Sequence, residues 1–469
     1  MNKVFNNQQQ LFEGIDGIPS VSEQLLPTTL RVSQVGNKPI FVDFEGGALS
    51  SDAGILLLRE VENQISIISA IAEVIKDNRD SRYIKHTYQE LLMQRVSQIA
   101  SGNEDANDCD SLRDDPIFKM VANRLPETGD ALGSQPTMSR FENTISRSTL
   151  YRIAKVFVDN FVKSYETQPD IVVLDFDDTE DKVHGHQQLA LFNNYYDDYC
   201  YLPLHVYEGL SGKLITTILK PGKRSNGKQM LAIVKRIITQ LRARWADTII
   251  VFRGDGHFSY PEVMQWIDAQ ENVMYVLGLT GNSILKEMVQ PLIKQASAQY
   301  KETQQKVCIF DSVLYRAKSW DISRRVIVKV EVTSKGENVR FVVSDMEQAK
   351  AIELYQQIYC HRGIAELYIK DHKLYLKSDR TSCHAFEANQ FRLFLHSAAY
   401  VLSHAFRAHA LKHSQWANAT METIRLKFFK IGACIRELKT KVKVALPTSY
   451  PLKRILIRCL QLFENLAPT

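Results

Sequence analysis

The stretch Ile171-Val-Val-Leu-Asp175-Phe-Asp177-Asp178-Thr179 is an apolar, β-branched run that ends in acids. Its composition predicts a buried β-strand. Because side chains alternate along a strand, Asp175 and Asp177 share one face and Asp178 lies on the other. Carboxylates crowded at a strand end repel one another unless a cation lies between them. The stretch therefore predicts a core strand that delivers acids to a sheet edge, although a plain strand end entering an acidic loop fits the same residues.

The residues that follow predict two further strands and a helix. Residues 199–207 and 213–219 are strand candidates, and the turn Glu208-Gly-Leu-Ser-Gly212 between them predicts a hairpin. An amphipathic helix is expected over residues 229–245. A helix after an antiparallel hairpin indicates a mixed α/β domain.

A fourth strand is predicted over residues 248–252, and it ends at Arg253-Gly-Asp255-Gly. Three antiparallel strands, a helix and a fourth strand are the opening of an RNase H-like fold. In that fold the ends of the first and fourth strands lie side by side. We therefore expect Asp177 and Asp255 to meet in space, with a fifth strand over residues 273–277.

A second stretch, Tyr359-Cys-His-Arg362-Gly-Ile-Ala-Glu366-Leu-Tyr-Ile-Lys-Asp-His-Lys373, is predicted to be helical. At about 100° per residue, four polar side chains share an arc of about 60°. They are Tyr359, Arg362, Glu366 and Lys373. Such a face fits either ordinary solvated salt bridges or a metal-binding carboxylate beside phosphate-binding cations, and spacing alone leaves both open.

The remaining pattern divides the chain of 469 residues into five predicted segments. Residues 1–165 are mainly helical. Residues 166–277 form the first part of the α/β core, a β-rich insertion follows over residues 278–345, and residues 346–415 complete the core with the Glu366 helix. Residues 416–469 are predicted to be a basic helical tail. Residues 421–469 contain ten lysines and arginines and three acids, whereas the whole chain carries a net charge of +5. A basic tail suits phosphate backbones or anionic lipids.

Several classes of protein are disfavoured. The seven cysteines are odd in number and form no C-x-x-C pair, which argues against a zinc ribbon or a disulfide framework. The first residues lack the apolar core of a signal peptide, and the apolar run over residues 393–406 is too short to span a bilayer. The chain is therefore expected to be cytoplasmic, with no membrane partner.

Two motifs that resemble ligand sites are incomplete. The segment Gly222-Lys-Arg-Ser-Asn-Gly-Lys-Gln229 nearly matches a P-loop, but Gln229 stands where the Mg²⁺-binding hydroxyl is required, and the preceding strand belongs to a hairpin. We interpret it as a basic loop. The histidines His184, His186 and His205 have no fourth ligand at zinc spacing.

With these pieces assembled, the chain resembles the DDE transposases of the IS4 superfamily, and within them the IS1380 family of bacterial insertion sequences. The resemblance covers nearly the whole chain. It is carried by residues 174–187, by residues 192–204, by Arg253-Gly-Asp255 and by the helical stretch, which fits a Y-x2-R-x3-E-x6-K signature at every position. A four-residue signature is weak by itself, but behind two strand-end aspartates it is specific.

The resemblance implies a two-metal site in which Asp177, Asp255 and Glu366 are catalytic and bind two Mg²⁺ ions, with Mn²⁺ as a substitute. Carboxylate oxygens suit such hard cations, and a metal pair both activates a nucleophile and stabilises a leaving oxygen. The superfamily's first acid lies two residues before a threonine, which selects Asp177, and Asp175 on the same face is the alternative.

The resemblance also implies that Tyr359, Arg362 and Lys373 bind phosphates near the cleaved DNA end, and that the helical segment 1–165 is a DNA-end-binding domain. The implied activity is cut-and-paste transposition. The enzyme binds the terminal inverted repeats, cleaves at the element ends and joins the 3′-OH ends to target DNA, acting as a dimer on double-stranded DNA. Two alternatives remain open, a catalytically silent DNA-binding regulator and a nuclease without strand transfer.

Overall fold

The computed structural model describes residues 29–464, and a mixed sheet of eight strands is the largest element in them. The strands of the chain are β1 (Thr29–Val35), β2 (Lys38–Asp43), β3 (Leu49–Ser50), β4 (Ile171–Asp178), β5 (Asp181–Lys182), β6 (Leu191–Asn193), β7 (Asp198–Tyr201), β8 (Leu204–Glu208), β9 (Leu214–Ile218), β10 (Ile249–Gly254), β11 (Val273–Leu279), β12 (Val307–Tyr315), β13 (Arg324–Thr333), β14 (Gly336–Ser344), β15 (Ala433–Leu438) and β16 (Lys441–Ala445).

The order of the large sheet is β12-β13-β14-β11-β10-β4-β8-β9. Its centre is parallel, because β10 pairs in parallel with both β4 and β11. The strands β8 and β9 continue one side as an antiparallel hairpin, as the turn chemistry predicted. The predicted strand over residues 199–207 is in fact two strands, β7 and β8, which are separated at Leu202 and Pro203.

In chain order, most of the described helices lie before β4 or after β14. The α-helices are α1 (Leu56–Ile65), α2 (Ile67–Val74), α3 (Tyr88–Ser101), α4 (Asp108–Leu112), α5 (Pro116–Val121), α6 (Gln135–Asn143), α7 (Arg147–Lys163), α8 (Gly227–Arg242), α9 (Pro261–Asp268), α10 (Ser283–Met288), α11 (Gln290–Thr303), α12 (Ala351–Glu353), α13 (Gly363–Lys370), α14 (Phe386–Ala410), α15 (Met421–Ile424) and α16 (Lys453–Glu464).

Two apolar cores cover the two faces of the sheet. On one face Val172, Leu174 and Phe176 of β4 pack with residues of α8, α9 and the neighbouring strands. On the other face Val173 packs with a smaller cluster that includes Leu354. Residues 172–176 of β4 are therefore buried on both faces of the sheet, as expected for a central strand.

The predicted β-rich insertion extends the main sheet. Its strands β12, β13 and β14 form an antiparallel meander, and β14 pairs with β11 over Val276–Leu279. The sequence predicted the strands, but hydrophobic alternation does not say which sheet a strand joins.

The prediction of a helical basic tail was wrong in part. Residues 433–445 form an antiparallel hairpin of β15 and β16, between the short helix α15 and the terminal helix α16. The run Lys441-Val-Lys-Val-Ala445 alternates charged and apolar residues with period two, which favours a strand over a helix.

By contacts the chain divides into two units, one ending at Leu49 and one beginning at Ser50. In the described part of the first unit, β1 and β2 form an antiparallel hairpin. The first 28 residues of the predicted N-terminal segment lie outside the described residues. Among residues 29–464, no helix is long and apolar enough to cross a membrane.

Candidate active site

The ends of β4 and β10 place two aspartates at one edge of the sheet. Arg253 of β10 lies beside Asp175 of β4 in the parallel register. Asp177 is therefore at the end of β4, and Asp255 follows immediately after β10. The expectation that these strand ends lie side by side is confirmed by this pairing.

Asp175 does not face the open site, because it forms a buried ion pair. Arg253 donates to both of its carboxylate oxygens, with Nε–Oδ1 and Nη2–Oδ2 distances of 2.5 Å and 2.7 Å. Both side chains are at most 2% exposed. The third donor of Arg253, Nη1, lies 2.5 Å from the carbonyl oxygen of Ile358. The guanidinium thus ties β4 and β10 to the helical run that carries Tyr359, and it engages both oxygens of Asp175.

Asp177, two residues along the same face, is in a different state. Its side chain is 16% exposed, and its Oδ2 lies 3.0 Å from Nη1 of Arg362. Burial raises the pKa of Asp177 to about 7; the positive charge of Arg362 opposes that shift, and the negative charges of Asp255 and Asp178 add to it. The first strand-end acid is therefore crowded by other acids and only partly neutralised.

Asp178 lies on the other side of the strand and has a different cation. Its Oδ2 accepts a hydrogen bond from Nζ of Lys220 at 2.6 Å. Its Oδ1 is buried and has no hydrogen-bond partner among the described residues. This side chain faces away from Asp175, as the strand period predicted, and Lys220 supplies its countercharge.

Asp255 sits in a tight turn that its own side chain helps to close. Its Oδ1 accepts a hydrogen bond from the backbone N–H of His257 at 2.8 Å, and its side chain is 31% exposed. Gly278 of β11 lies against this turn. A Cβ on Gly278 would lie 2.6 Å from Oη of Tyr359 and 2.7 Å from the backbone nitrogen of Gly256, so only glycine fits there. The turn of Asp255, β11 and Tyr359 are therefore in close contact.

The stretch from Tyr359 to Lys373 is helical but irregular. A π-helix over Leu354–Tyr359, a 3-10 turn over Cys360–Arg362, α13 and a second π-helix over Asp371–Tyr375 follow one another. The single regular helix face drawn from the sequence is thus not preserved. Widened turns of this kind are frequent at functional sites.

Arg362 bridges two of the predicted catalytic acids. Besides its contact with Asp177, its Nη2 lies 3.8 Å from Oε1 of Glu366, whose side chain is 66% exposed. The same guanidinium therefore faces one acid from the sheet and one from the helix. The structure brings Asp177, Asp255, Arg362 and Tyr359 together, and it places Glu366 at the solvent side of the group.

Lys373 contacts the turn that follows β4. Its Nζ lies 3.3 Å from Oγ1 of Thr179 and hydrogen-bonds the carbonyl oxygen of Glu180. The next residue, Asp181, is buried, and burial raises its pKa well above the usual range while the charge of Lys373 opposes that shift. In this conformation Lys373 holds the turn that follows β4.

Two buried histidines lie beneath the site. His205 of β8 is paired in register with Asp177, and its ring is 4.9 Å from that of His372. His372 in turn has its Nδ1 3.1 Å from Oη of Tyr207. Burial lowers the pKa of His205 to about 3, and it lowers that of His372 well below the usual range. Both rings are therefore neutral at physiological pH.

The donor set fits a divalent metal ion, although the described residues do not close around one. Hard cations prefer carboxylate oxygens, and a cation between Asp177 and Asp255 relieves the repulsion that raises the pKa of Asp177. Within residues 29–464, no three histidine, cysteine or acidic side chains lie in an arrangement that holds a metal. Glu366 is the predicted third ligand, and Arg362 contacts both this side chain and Asp177.

Sequence reasoning missed the cations that serve these acids. Neither Arg253, which directly precedes Gly254 and Asp255, nor Lys220 was assigned to an acid. The signal for Arg253 was its position: it is two residues before a predicted catalytic acid in a strand paired with β4. A parallel register between the two strands would have placed it beside Asp175.

The chain matches the family described as transposase DDE domain group 1 over residues 32–468. Among solved structures, it is similar to the piggyBac transposase in the cryo-EM structure of its synaptic complex with hairpin DNA. That similarity has a TM-score of 0.42 and 12% sequence identity, and it covers 90% of this chain and 86% of that one. No curated protein matches the chain.

Proposed function

This chain belongs to the transposase DDE domain family, and on that premise we propose that it is a cut-and-paste DNA transposase. It binds the terminal inverted repeats of an insertion sequence, hydrolyses phosphodiester bonds at the element ends and joins the freed 3′-OH ends to target DNA. We also retain the narrower assignment to the IS1380 family of the IS4 superfamily, on the motifs quoted above.

One observation carries the proposal. Asp177 and Asp255 lie at the ends of two adjacent parallel strands. The two acids are close enough that the charge of Asp255 adds to the effect of burial and raises the pKa of Asp177. Proteins seldom keep like charges together at a partly buried edge without a cation to bind. In a family named for three catalytic acids, this pair is the expected site of phosphodiester chemistry.

The strand arrangement supports an RNase H-like core. Reading β9-β8-β4-β10-β11 across the sheet gives strands three, two, one, four and five of the core in chain order. The first three are antiparallel, and the last two run parallel to the first. Under this proposal β12–β14 belong to the insertion, and the segments 1–165, 166–277, 278–345, 346–415 and 416–469 keep the roles predicted for them.

In the proposed site, Asp177, Asp255 and Glu366 hold Mg²⁺ or Mn²⁺. When bound, the metal supplies a lowered pKa for the attacking water or hydroxyl and stabilises charge on the leaving oxygen. Arg362 has two roles. It partly neutralises Asp177 in the metal-free protein, and its planar guanidinium suits a bidentate contact with a phosphate. Binding a phosphate would draw Arg362 from Asp177 and free that carboxylate to act as a ligand.

Two further side chains contribute to DNA binding in this proposal. Tyr359 presents its hydroxyl beside the turn of Asp255, where it can donate to a phosphate oxygen. Lys373 is a point charge at the turn after β4. The basic residues beyond residue 421 add a surface for the DNA backbone. Synapsis of two element ends makes a dimer on DNA the expected assembly, acting on bacterial DNA in the cytoplasm.

A cleavage assay tests the proposal. The wild-type protein is incubated with duplexes of its own element's terminal repeats and Mg²⁺ or Mn²⁺, and nicking and strand joining are measured separately. We expect both activities, and we expect Asp255→Ala and Glu366→Ala to abolish both while still binding the duplex. Asp114→Ala is the matched control, because this side chain is 75% exposed and lies in the helical segment before the core.

The outcomes separate the three functions considered. Duplex binding without cleavage by the wild-type protein would leave a DNA-binding regulator. Nicking without joined products would leave a nuclease. Wild-type cleavage by Asp255→Ala or Glu366→Ala would refute the assignment of the acids while leaving the transposase intact.

A further inference from the structure

A basic segment between β9 and α8 lies across the turn that carries Asp255. We define residues 220–226 as the strap. The sequence identified this region as an imperfect P-loop and a basic loop. Its position beside two of the strand-end acids gives it another role.

At its start the strap is joined to the end of β4. Lys220 is 5% exposed, and its Nζ forms the 2.6 Å contact with Asp178 described above. Its carbonyl oxygen accepts a hydrogen bond from the backbone N–H of Leu202 at 3.0 Å. The first residue of the strap is thus fixed both to an acid of the site and to the chain between β7 and β8.

The middle of the strap is fixed by close packing. The carbonyl oxygen of Gly222 accepts a hydrogen bond from Nδ2 of Asn193 at 2.8 Å. A Cβ on Gly222 would overlap the carbonyl oxygens of Leu191 and Cys200, in the hairpin of β6 and β7. The strap therefore has little room to shift away from this hairpin.

The end of the strap is joined to the turn of Asp255. Nη2 of Arg224 lies 2.5 Å from the carbonyl oxygen of His257 and 3.4 Å from that of Gly256. Its Nε lies 3.2 Å from Oη of Tyr260, and that hydroxyl donates to the carbonyl oxygen of Ser225 at 2.5 Å. Bonds therefore run in both directions between the strap and the residues just after Asp255.

We propose that Arg224 is a positioning residue that holds the turn of Asp255 in place. Within that turn, the backbone N–H of His257 donates to the carboxylate of Asp255. Arg224 of the strap donates to the carbonyl oxygens of Gly256 and His257 in the same turn. Arg224 acts on Asp255 through the backbone and does not contact the reacting atoms. The inference rests on the proposed function for its effect on cleavage, and it stands on geometry alone for its effect on the turn.

The neighbouring residue supplies a matched control. Lys223 belongs to the same strap and is exposed. Its charge is suited to a phosphate contact and to nothing in the turn. Arg224→Ala and Lys223→Ala therefore remove one positive charge each from adjacent positions. They differ in whether a bond to the turn is lost.

The first measurement is hydrogen exchange of the full-length protein without DNA. We expect the amides of residues 255–260 to exchange faster in Arg224→Ala than in the wild type, and to be unchanged in Lys223→Ala. Unchanged exchange in Arg224→Ala would overturn the proposal. Because this measurement needs no substrate, it decides the positioning role even if the wild-type protein cleaves no DNA, a result that would refute only the proposed function.

The second measurement is single-turnover cleavage at saturating DNA over a range of Mn²⁺ concentrations. We expect Arg224→Ala to lower the rate by about 10- to 100-fold, the scale of a small misplacement of a catalytic group. We also expect it to raise the Mn²⁺ concentration at half-maximal rate and to leave DNA affinity within about twofold. Arg224→Lys keeps the charge without the forked geometry and should restore little of the rate.

The control should show the opposite pattern. Lys223→Ala should weaken DNA binding and reduce its salt dependence by about one counterion, without raising the Mn²⁺ concentration at half-maximal rate. If Arg224→Ala also weakens DNA binding in this way and keeps the wild-type rate and Mn²⁺ dependence, Arg224 is a DNA contact and the proposal is wrong. Thermal melting of each variant identifies a loss of fold, and in that case Arg224→Lys provides the comparison.

Discussion

Asp175 and Asp177 are two residues apart on one face of one strand, and the structure gives them opposite environments. Asp175 is fully enclosed and shares both oxygens with Arg253. Asp177 is partly open, has one contact with Arg362, and faces the charges of two other acids. A saturated ion pair holds elements together, and an under-neutralised acid can bind something else. Acid type and strand face alone therefore do not identify a metal ligand. The ion-pair partner of each acid distinguishes the two.

The largest expected effect separates the two acids by function. Asp177→Asn keeps the size of the side chain and removes the charge of a proposed metal ligand, so we expect DNA cleavage to fall by at least about 1,000-fold with duplex binding retained. Asp175→Asn should instead lower the melting temperature, because it leaves Arg253 buried with a neutral partner. Cleavage rates and melting curves of both variants make the test. A well-folded, inactive Asp175→Asn beside an active Asp177→Asn would exchange the two assignments.

The next effect concerns the ion pair itself. Arg253→Met removes the partner of a buried carboxylate and the donor to Ile358, and we expect a loss of about 3–5 kcal/mol in the free energy of unfolding. Urea denaturation measures it. The double variant Asp175→Leu with Arg253→Met should lose less than the sum of the single variants, because neither charge is then left alone. Additive losses would show that the two side chains do not act as a pair.

A third effect tests whether the buried histidine beneath the two acids, His205, is neutral. The pKa of His205 is about 3 in the folded protein, against 6.5 for an ordinary histidine, and His404 is lowered to about 3 as well. Between these values the unfolded chain binds protons that the folded chain does not. The contribution of these histidines to stability is therefore fully present above pH 6.5 and is lost as the pH drops towards 3, by up to about 1.4 kcal/mol per pH unit for each such histidine.

Urea denaturation at pH 7.5, 6.5 and 5.5 measures this dependence. His205→Gln should flatten the decline, whereas His413→Gln, at an exposed position, should leave it unchanged. Equal slopes in the wild type and His205→Gln would mean that the ring is hydrated or charged in the folded protein.

The smallest effect sharpens the state of Asp177. The charge of Arg362 lowers the pKa of this acid, against the effects of burial and of Asp255. Arg362→Gln should therefore raise the pKa of Asp177 further. In the protein without metal or DNA, an NMR titration of the Asp177 carboxyl group should show its midpoint moving upward, by less than about one unit for a partly solvated pair. A downward movement would show that Arg362 does not stabilise the charged form of Asp177.

Much of this arrangement was accessible from the sequence because it depends on local pattern. The alternation of β4 and the turn before β9 are short-range signals, and each predicted an element that the structure contains. The order of the central strands also followed once a helix was recognised between β9 and β10.

The remainder depends on contacts between distant parts of the chain. The pairing of β14 with β11 joins residues about 65 positions apart, and nothing in either strand's composition selects that neighbour. Arg253 and Lys220 were each assigned to no acid, because a cation's partner is set by register and by loop paths. The sequence predicts a regular helix over residues 359–373, because the widened turns of a π-helix leave no signal in hydrophobic spacing.

The close contact at Gly278 has a consequence for the history of the gene. Every missense substitution in the first two bases of a glycine codon adds at least a Cβ, and a Cβ there meets Tyr359 and the turn of Asp255. We therefore expect a single base change outside the three acids to inactivate a copy whose motifs all remain intact. If the chain is mobile, silent copies should accumulate changes at this codon, and sequencing of related copies would identify inactive ones that a search for the three acids would count as active.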